Sequence, residues 1–530
     1  MPPFRTTFPA VIRISACIAG VAAVVAWLVT AIRFVDGVDL HVFVCEARDL
    51  LKFESTAPDS AYRYFPGVYT FWRFVLLSFG DDYFVLQRSV ILLLAANTAI
   101  VALLTFRLTA GCFTAIFAAA LYVCLVSRFE GLSGTAEPLG TFFFLSAVLA
   151  WLVCGRNKRT AFVVLGIGLG LTVYCKQQAG LLSLGTVWLL IDEAMTPGDD
   201  RLRRLRAVVI GLCTAAVSAA GVLFAMVLLE GRGLAPLLTG LKMVTGYHRS
   251  GSFSANLYSV LRNDESVGLM AVVLSLAAVR HLTRRSTSDT VKVVLPSGDS
   301  TGDALHRPSL RVVVGLLITA ALASLVQFRT RGYYHYFLLT IPSLVVSYAV
   351  VLRSAWSTAA APGRRTRLMR VGIVLLGAVP FLHAGDRSLD FELWDPVVRA
   401  TEQADVRPWH RQPEVARDLA QLRERLPAGR EMLVLPPIRA IIYLQADGYQ
   451  PTGYAFGQGA VAQAVDANEK AAVIVMLNPD DRERANWEDA DCDSAMLALQ
   501  QQNFRSVWKG RRMELQLPPQ DIAEDADDSE

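Results

Sequence analysis

Charge is what this sequence is short of. Acidic and basic side chains make up 18% of its 530 residues, against about 25% in soluble domains. Together with a mean hydropathy of +0.39, that deficit excludes an ordinary water-soluble fold for most of the chain. Cysteine pairs at metal-binding spacing are missing as well. None of the eight cysteines forms a C-x-x-C, so no metal site and no disulfide framework is indicated. Cys17, Cys112, Cys124, Cys154, Cys175 and Cys213 fall in or beside apolar blocks. Cys45 and Cys492 lie outside them, and two free thiols describe these better than a bridge. There is no internal repeat and no Gly-rich phosphate loop, and the net charge of +4 makes no case for nucleic acid.

What the sequence does have is long apolar runs. A bilayer core needs about 20 apolar residues per helix, and spans are expected near 11–33, 83–106, 110–127, 138–154, 161–175, 179–193, 207–229, 266–282, 311–328, 335–352 and 368–385. The first block exceeds the usual length of a signal-peptide core and reads as a retained anchor. Basic connectors follow every second span: Arg156–Arg159, Arg201–Arg206, Arg280–Arg285 and Arg364–Arg367. The positive-inside rule makes their side cytoplasmic. The expected architecture is a polytopic α-helical protein of the plasma (inner) membrane with about 11 transmembrane helices. Its N-terminus is cytoplasmic and its C-terminus extracytoplasmic.

Residues 1–385 form the expected membrane domain, with a long first outer loop over 34–82. Ser286–Pro308 is polar and reads as a flexible cytoplasmic loop. Beyond 385 the pattern changes. Val415, Leu419, Leu422 and Leu426 recur at helical spacing, Met432–Leu435 and Ala472–Met476 are short strand-like runs, and Phe504–Trp508 and Met513–Leu517 are expected to form a terminal hairpin across Lys509–Arg512. Residues 386–517 are therefore expected to form a small extracytoplasmic α/β domain, and 518–530 an acidic disordered tail.

Candidate chemistry collects in the outer loops. Val42, Phe43, Ala47, Leu50 and Leu51 share one face of an amphipathic helix expected in the membrane interface. Asp39 stands at its N-cap position, where it either caps the helix or acts as a general base at the membrane boundary. Glu137 opens a span, where the helix macrodipole favours an acid. Lys176 lies between two apolar spans, a costly place unless it is paired, binds a phosphate, or snorkels to headgroups. Arg329, Arg331 and His335 sit just before a late span, placed to hold phosphate oxygens or lipid headgroups.

Asp39, Phe43 and Ala47-Arg48-Asp49, followed by Tyr62-Arg63-Tyr64-Phe65-Pro66-Gly67, resemble the first periplasmic loop of the GT-C glycosyltransferases. The likeness is strongest to the aminoarabinose transferases and protein O-mannosyltransferases. Glu137-Pro138, the segment Thr172 to Lys176 and the run Arg329 to Phe337 resemble further elements of that superfamily. One departure is plain: aminoarabinose transferases carry a Glu-Lys pair before the prolines, where this chain has Phe65-Pro66-Gly67.

The resemblance implies a polyprenyl-phosphate-sugar-dependent transferase. In it Asp39 (alternate Asp36) is the base, Lys176, Arg329, Arg331 and His335 bind the donor phosphate, and Glu137, Arg48 and Tyr64 support them. It also implies inversion at the sugar and an extracytoplasmic lipid, glycan or protein acceptor. No cofactor is required, although some GT-C enzymes hold a divalent metal on the loop carboxylates. The competing readings are a transporter or flippase of lipid-linked glycans and a non-catalytic envelope assembly protein. Transporters favour repeats and broken midplane helices, whereas the charges here gather at one face.

Overall fold

The computed structural model describes residues 10–31, 43–44, 47–48, 51, 66–80, 83–128, 135–154, 158–196, 198–229, 252–263, 267–274, 276, 310–329, 334–358, 364–389, 413–426, 432–435, 472–477 and 496–519. Asp36, Asp39, Tyr64, Arg331, Cys45, Cys492, the loop 286–308 and the tail from 520 onward lie outside the described residues. The chain divides into two compact units. One comprises 1–33, 64–68 and 87–402, and the other 34–63, 69–86 and 403–530.

The first unit is helical. It contains α1 (Ala10–Ala31), the start of α2 (Pro66–Phe79), most of α3 (Tyr83–Thr109), α4 (Cys112–Arg128), α5 (Glu137–Cys154) and α6 (Lys158–Cys175). A 3₁₀ helix, Gln177–Thr186, then runs into α7 (Val187–Met195). Next come α8 (Arg201–Leu229), α9 (Phe253–Asn263) and α10 (Leu310–Ser324). Two short 3₁₀ turns, Leu325–Arg329 and Tyr334–Leu339, precede α11 (Ile341–Thr358) and α12 (Arg364–Leu389).

Apart from α2 and α9, which lie in stretches expected as outer loops, these helices fall on the expected apolar blocks, and the block at 266–282 is described only at 267–274 and 276. Among the described residues four helices are long and apolar enough to cross a membrane: Arg88–Thr109, Glu137–Cys154, Arg201–Leu229 and Leu310–Phe328. Shorter apolar helices accompany them at Ser15–Ala26, Cys112–Val126, Arg159–Cys175 and Ile341–Ser357.

Small residues set the helix spacing. In lipid, association depends on close packing rather than water exclusion, so interfaces favour Gly and Ala. Gly166 and Gly170 of α6 face Ala215 and Ala219 of α8, and a Cβ at Gly170 would lie 2.5 Å from the Ala219 carbonyl oxygen. Gly168 faces Ala147 of α5 instead. One helix thus approaches two neighbours at backbone distance.

The arginine-rich ends are also tied down. Arg204 Nε donates to Glu193 at 3.0 Å and its Nη2 to the Thr196 carbonyl at 3.2 Å. Arg311 Nε lies 2.6 Å from Asp192 Oδ1, an ion pair without hydrogen-bond alignment. The starts of α8 and α10 are thereby pinned to the end of α7.

α2 is a feature the sequence analysis folded into the long first loop. At 14 residues it is too short to cross a bilayer. It buries Val68, Tyr69, Trp72 and Val75 at helical spacing and exposes Phe74, Leu77 and Phe79. In the segment expected as an interfacial helix, Phe43, Val44, Ala47 and Arg48 are helical and buried, Arg48 at 2% exposure.

In the second unit, β1 (Met432–Leu435), β2 (Ala472–Met476), β3 (Arg505–Lys509) and β4 (Met513–Leu517) form one sheet in the order β1-β2-β4-β3. β1 and β2 are parallel, and the other pairs antiparallel. Leu433, Leu435, Val473 and Val475 pack with Ala498 and Leu499 of a helix ending at 501. The amphipathic helix α13 (Pro413–Arg425) buries Val415, Leu419 and Leu422. Its buried Asp418 accepts the backbone N–H groups of Arg512 (2.7 Å) and Met513 (3.2 Å), and Gln421 accepts from Trp508 Nε1 at 3.1 Å. The α13 helix therefore holds the expected β3–β4 hairpin through its turn.

Candidate functional site

The polar site begins where α5 starts and α6 ends. Glu137 is the first residue of α5 and is fully buried. A carboxylate there is favoured by the positive end of the helix dipole. Burial would still be costly without a partner, and the partner comes from 39 residues on: Lys176 Nζ donates to Glu137 Oε1.

Lys176 is the single residue on which the chain reverses. Its backbone is extended, at φ −156° and ψ 123°. Its N–H closes α6 on the Thr172 carbonyl at 3.2 Å, and its carbonyl accepts from Ala179 N at 3.0 Å to open the 3₁₀ helix. The side chain is 6% exposed and so is enclosed by protein. Two close approaches fix the reversal. A Cβ at Gly67 would come within 2.7 Å of the Tyr174 carbonyl oxygen and 2.8 Å of Cys175 Cα, and one at Gly140 within 2.8 Å of Ala179 Cβ. The Pro66-Gly67 element and the head of α5 are thus seated against the backbone that carries the lysine.

The face of the Tyr336 ring completes the arrangement, its centroid 5.7 Å from Lys176 Nζ, a cation–π distance. Tyr336 is itself fixed. Its carbonyl accepts from Gln327 Nε2 at 2.6 Å, and its ring stands edge-on to Phe328 at 6.1 Å. Asn97 of α3 donates to the Pro138 carbonyl at 2.8 Å, tying the head of α5 to a third helix.

Of the residues expected at a site, Glu137 and Lys176 are therefore in direct contact. Arg329 and His335 lie on the two 3₁₀ turns that flank position 331, their side chains outside the described set. Arg48 is buried in the second unit. Asp36, Asp39, Tyr64 and Arg331 lie outside the described residues. Sequence reasoning missed Tyr336, because four aromatic or imidazole side chains stand in a row at 333–336 and nothing in the pattern singles one out. Among the described residues no three His, Cys, Asp or Glu side chains gather as metal ligands would.

Comparison of the whole chain with solved structures decides the fold. ArnT from Cupriavidus metallidurans, solved bound to undecaprenyl phosphate, superposes with a TM-score of 0.56 at 15% identity, covering 95% of this chain and 97% of that one. The chain has the GT-C fold. The Archaeoglobus fulgidus oligosaccharyltransferase in its apo form matches with a TM-score of 0.52 at 13% identity, over 93% of this chain and 73% of its own. The oligosaccharyltransferase AglB from Archaeoglobus fulgidus, in complex with an inhibitory peptide and a dolichol-phosphate, gives 0.51 at 13% identity, over 91% and 72%. No protein-family model and no curated protein matches the sequence. At these identities the likeness is one of fold. Within a GT-C fold, what stands out here is a buried cation at a one-residue helix reversal, held between a carboxylate and an aromatic face.

Proposed function

We propose that this protein is a membrane glycosyltransferase that moves a sugar from a polyprenyl-phosphate carrier to an extracytoplasmic acceptor. The observation that carries the reading is Lys176, a buried ammonium built into a fold whose solved neighbour ArnT holds undecaprenyl phosphate. An ammonium has three N–H donors. One serves Glu137, and the remaining hydrogen-bonding capacity suits a phosphate oxygen.

In the mechanism, Arg329, Arg331 and His335 join Lys176 around the donor phosphate. Asp39 takes the proton of the acceptor hydroxyl, with Asp36 as the alternate base. The acceptor oxygen forms its bond to the anomeric carbon from the face opposite the phosphate. The bond from that carbon to the phosphate oxygen breaks, and polyprenyl phosphate leaves with the electron pair. Fixed cations stabilise the charge developing on its oxygens, and the sugar is inverted. No cofactor enters this scheme; Asp36 and Asp39 are the carboxylates on which a divalent ion would sit.

The basic connectors orient the N-terminus to the cytoplasm, which puts the Lys176 reversal and residues 386–517 on the outer side. A general base contributes about 10²–10⁴-fold, so Asp39→Asn is expected to lower turnover on a polyprenyl-phosphate sugar by that factor while the purified variant stays folded. Near-wild-type turnover by Asp39→Asn would remove this residue from the mechanism.

A further inference from the structure

Next to the ion pair along the chain stand side-chain oxygens that no hydrogen bond in the described fold uses. Gln177 and Gln178 follow Lys176 directly, and the side-chain oxygen of each is buried without a hydrogen-bond partner among the described residues. Thr135, two residues before Glu137, is 4% exposed, and its hydroxyl is in the same position. The fully buried Asn97, whose amide nitrogen reaches the Pro138 carbonyl, leaves its amide oxygen likewise without a partner there.

Buried polar side-chain atoms in native proteins nearly always find partners. Among the buried side-chain atoms without a partner in the described residues, these four adjoin the ion pair along the chain or through the Asn97–Pro138 hydrogen bond, on α3, on the approach to α5 and on the 3₁₀ helix, and their grouping calls for a reason. Packing gives none, because an apolar side chain of the same shape would serve better.

We infer that Gln177 and Gln178, with Thr135 and Asn97 beside them, recognise the sugar of the donor by accepting hydrogen bonds from its hydroxyl or ammonium groups. The inference rests on the donor reading given above and adds which residues select the sugar. The chemistry fits the residue types: amide oxygens only accept, and a glycosyl ring beside its phosphate is rich in donors. In a 3₁₀ helix successive side chains diverge by about 120°. Gln177 and Gln178 therefore reach different edges of the ring, and each reads its own group. A site built this way rejects a sugar lacking the matching group far more strongly than an apolar pocket can. It carries a stability cost in the free protein, as functional sites commonly do.

The test uses the purified full-length protein in detergent with Gln177→Met and Gln178→Met, singly and together. Methionine keeps the length of glutamine and removes the amide. Binding is measured to undecaprenyl phosphate and to its glucosyl, mannosyl and amino-pentosyl esters, together with thermal stability. The expected result is a roughly tenfold or greater loss of affinity for the preferred glycosyl ester. Affinity for bare undecaprenyl phosphate should stay within about twofold, and thermal stability should be unchanged or raised. Equal losses on both kinds of lipid, no loss on either, or a fall in thermal stability as the sole effect each overturn the inference. Failure of the wild type to bind any of these lipids overturns the donor reading, and this inference with it.

Discussion

At the scale of single residues, the decisive feature is the Glu137–Lys176 pair. Both charges are buried, and removing one partner of a buried pair typically costs about 3–5 kcal/mol. Lys176→Met and Glu137→Gln are each expected to destabilise the protein by that amount. The double replacement Glu137→Gln with Lys176→Met should cost clearly less than the sum, because no lone charge remains. Thermal denaturation of the four proteins in detergent reads the cycle; additive losses would mean that the two residues are not coupled.

Half of this pair was legible in the sequence, since a lysine between apolar spans must be paired, ligand-bound or snorkelling. Glu137 was expected at the site as well, but its pairing with Lys176 and the Tyr336 ring were not. Glu137 had a sufficient local explanation at its helix start, and Tyr336 was one of several neighbouring aromatics. The burial of Arg48 was illegible too, because charged side chains are almost never fully buried unless paired.

At the scale of elements, apolar helices were legible from composition alone, four of them, among the described residues, long and apolar enough to cross a membrane. The 3₁₀ winding of Gln177–Thr186 was not, since a period of three and one of 3.6 are hard to separate over ten residues. Nor was α2, a 14-residue helix hidden in a stretch taken as loop. The hairpin of the second unit was expected at its observed place, but the capping role of Asp418 depends on contacts 94 residues away.

Glycines give the sharpest element-scale prediction. Gly170 has the Ala219 carbonyl in the space a Cβ would need, whereas Gly221, on the same α8 helix as Ala219, has nothing within 4 Å. Gly170→Val is expected to push α6 and α8 apart and to lose about 1–3 kcal/mol or more. Gly221→Ala should gain about 0.5–1 kcal/mol from backbone entropy. Thermal stability of both variants in detergent checks the pair, and the reverse order would contradict the described α6–α8 packing.

At the scale of the whole molecule, an expected GT-C architecture met a structure with that fold, at identities too low for sequence matching to find a relative. The two ends of the helical unit carry different chemistry. At one end arginines are answered by Asp192 and Glu193; at the other a lysine, a carboxylate and an aromatic face are enclosed together.

The measurement that bears most directly on the central claim is transfer of label from a polyprenyl-phosphate donor radiolabelled in its sugar. The purified wild-type protein is mixed with donor and a membrane extract supplying acceptors. The account predicts that label moves to acceptor material, that unlabelled polyprenyl phosphate is released, and that Lys176→Met abolishes both. Donor recovered intact, or moved across a vesicle bilayer with its glycosidic bond unbroken, would contradict it.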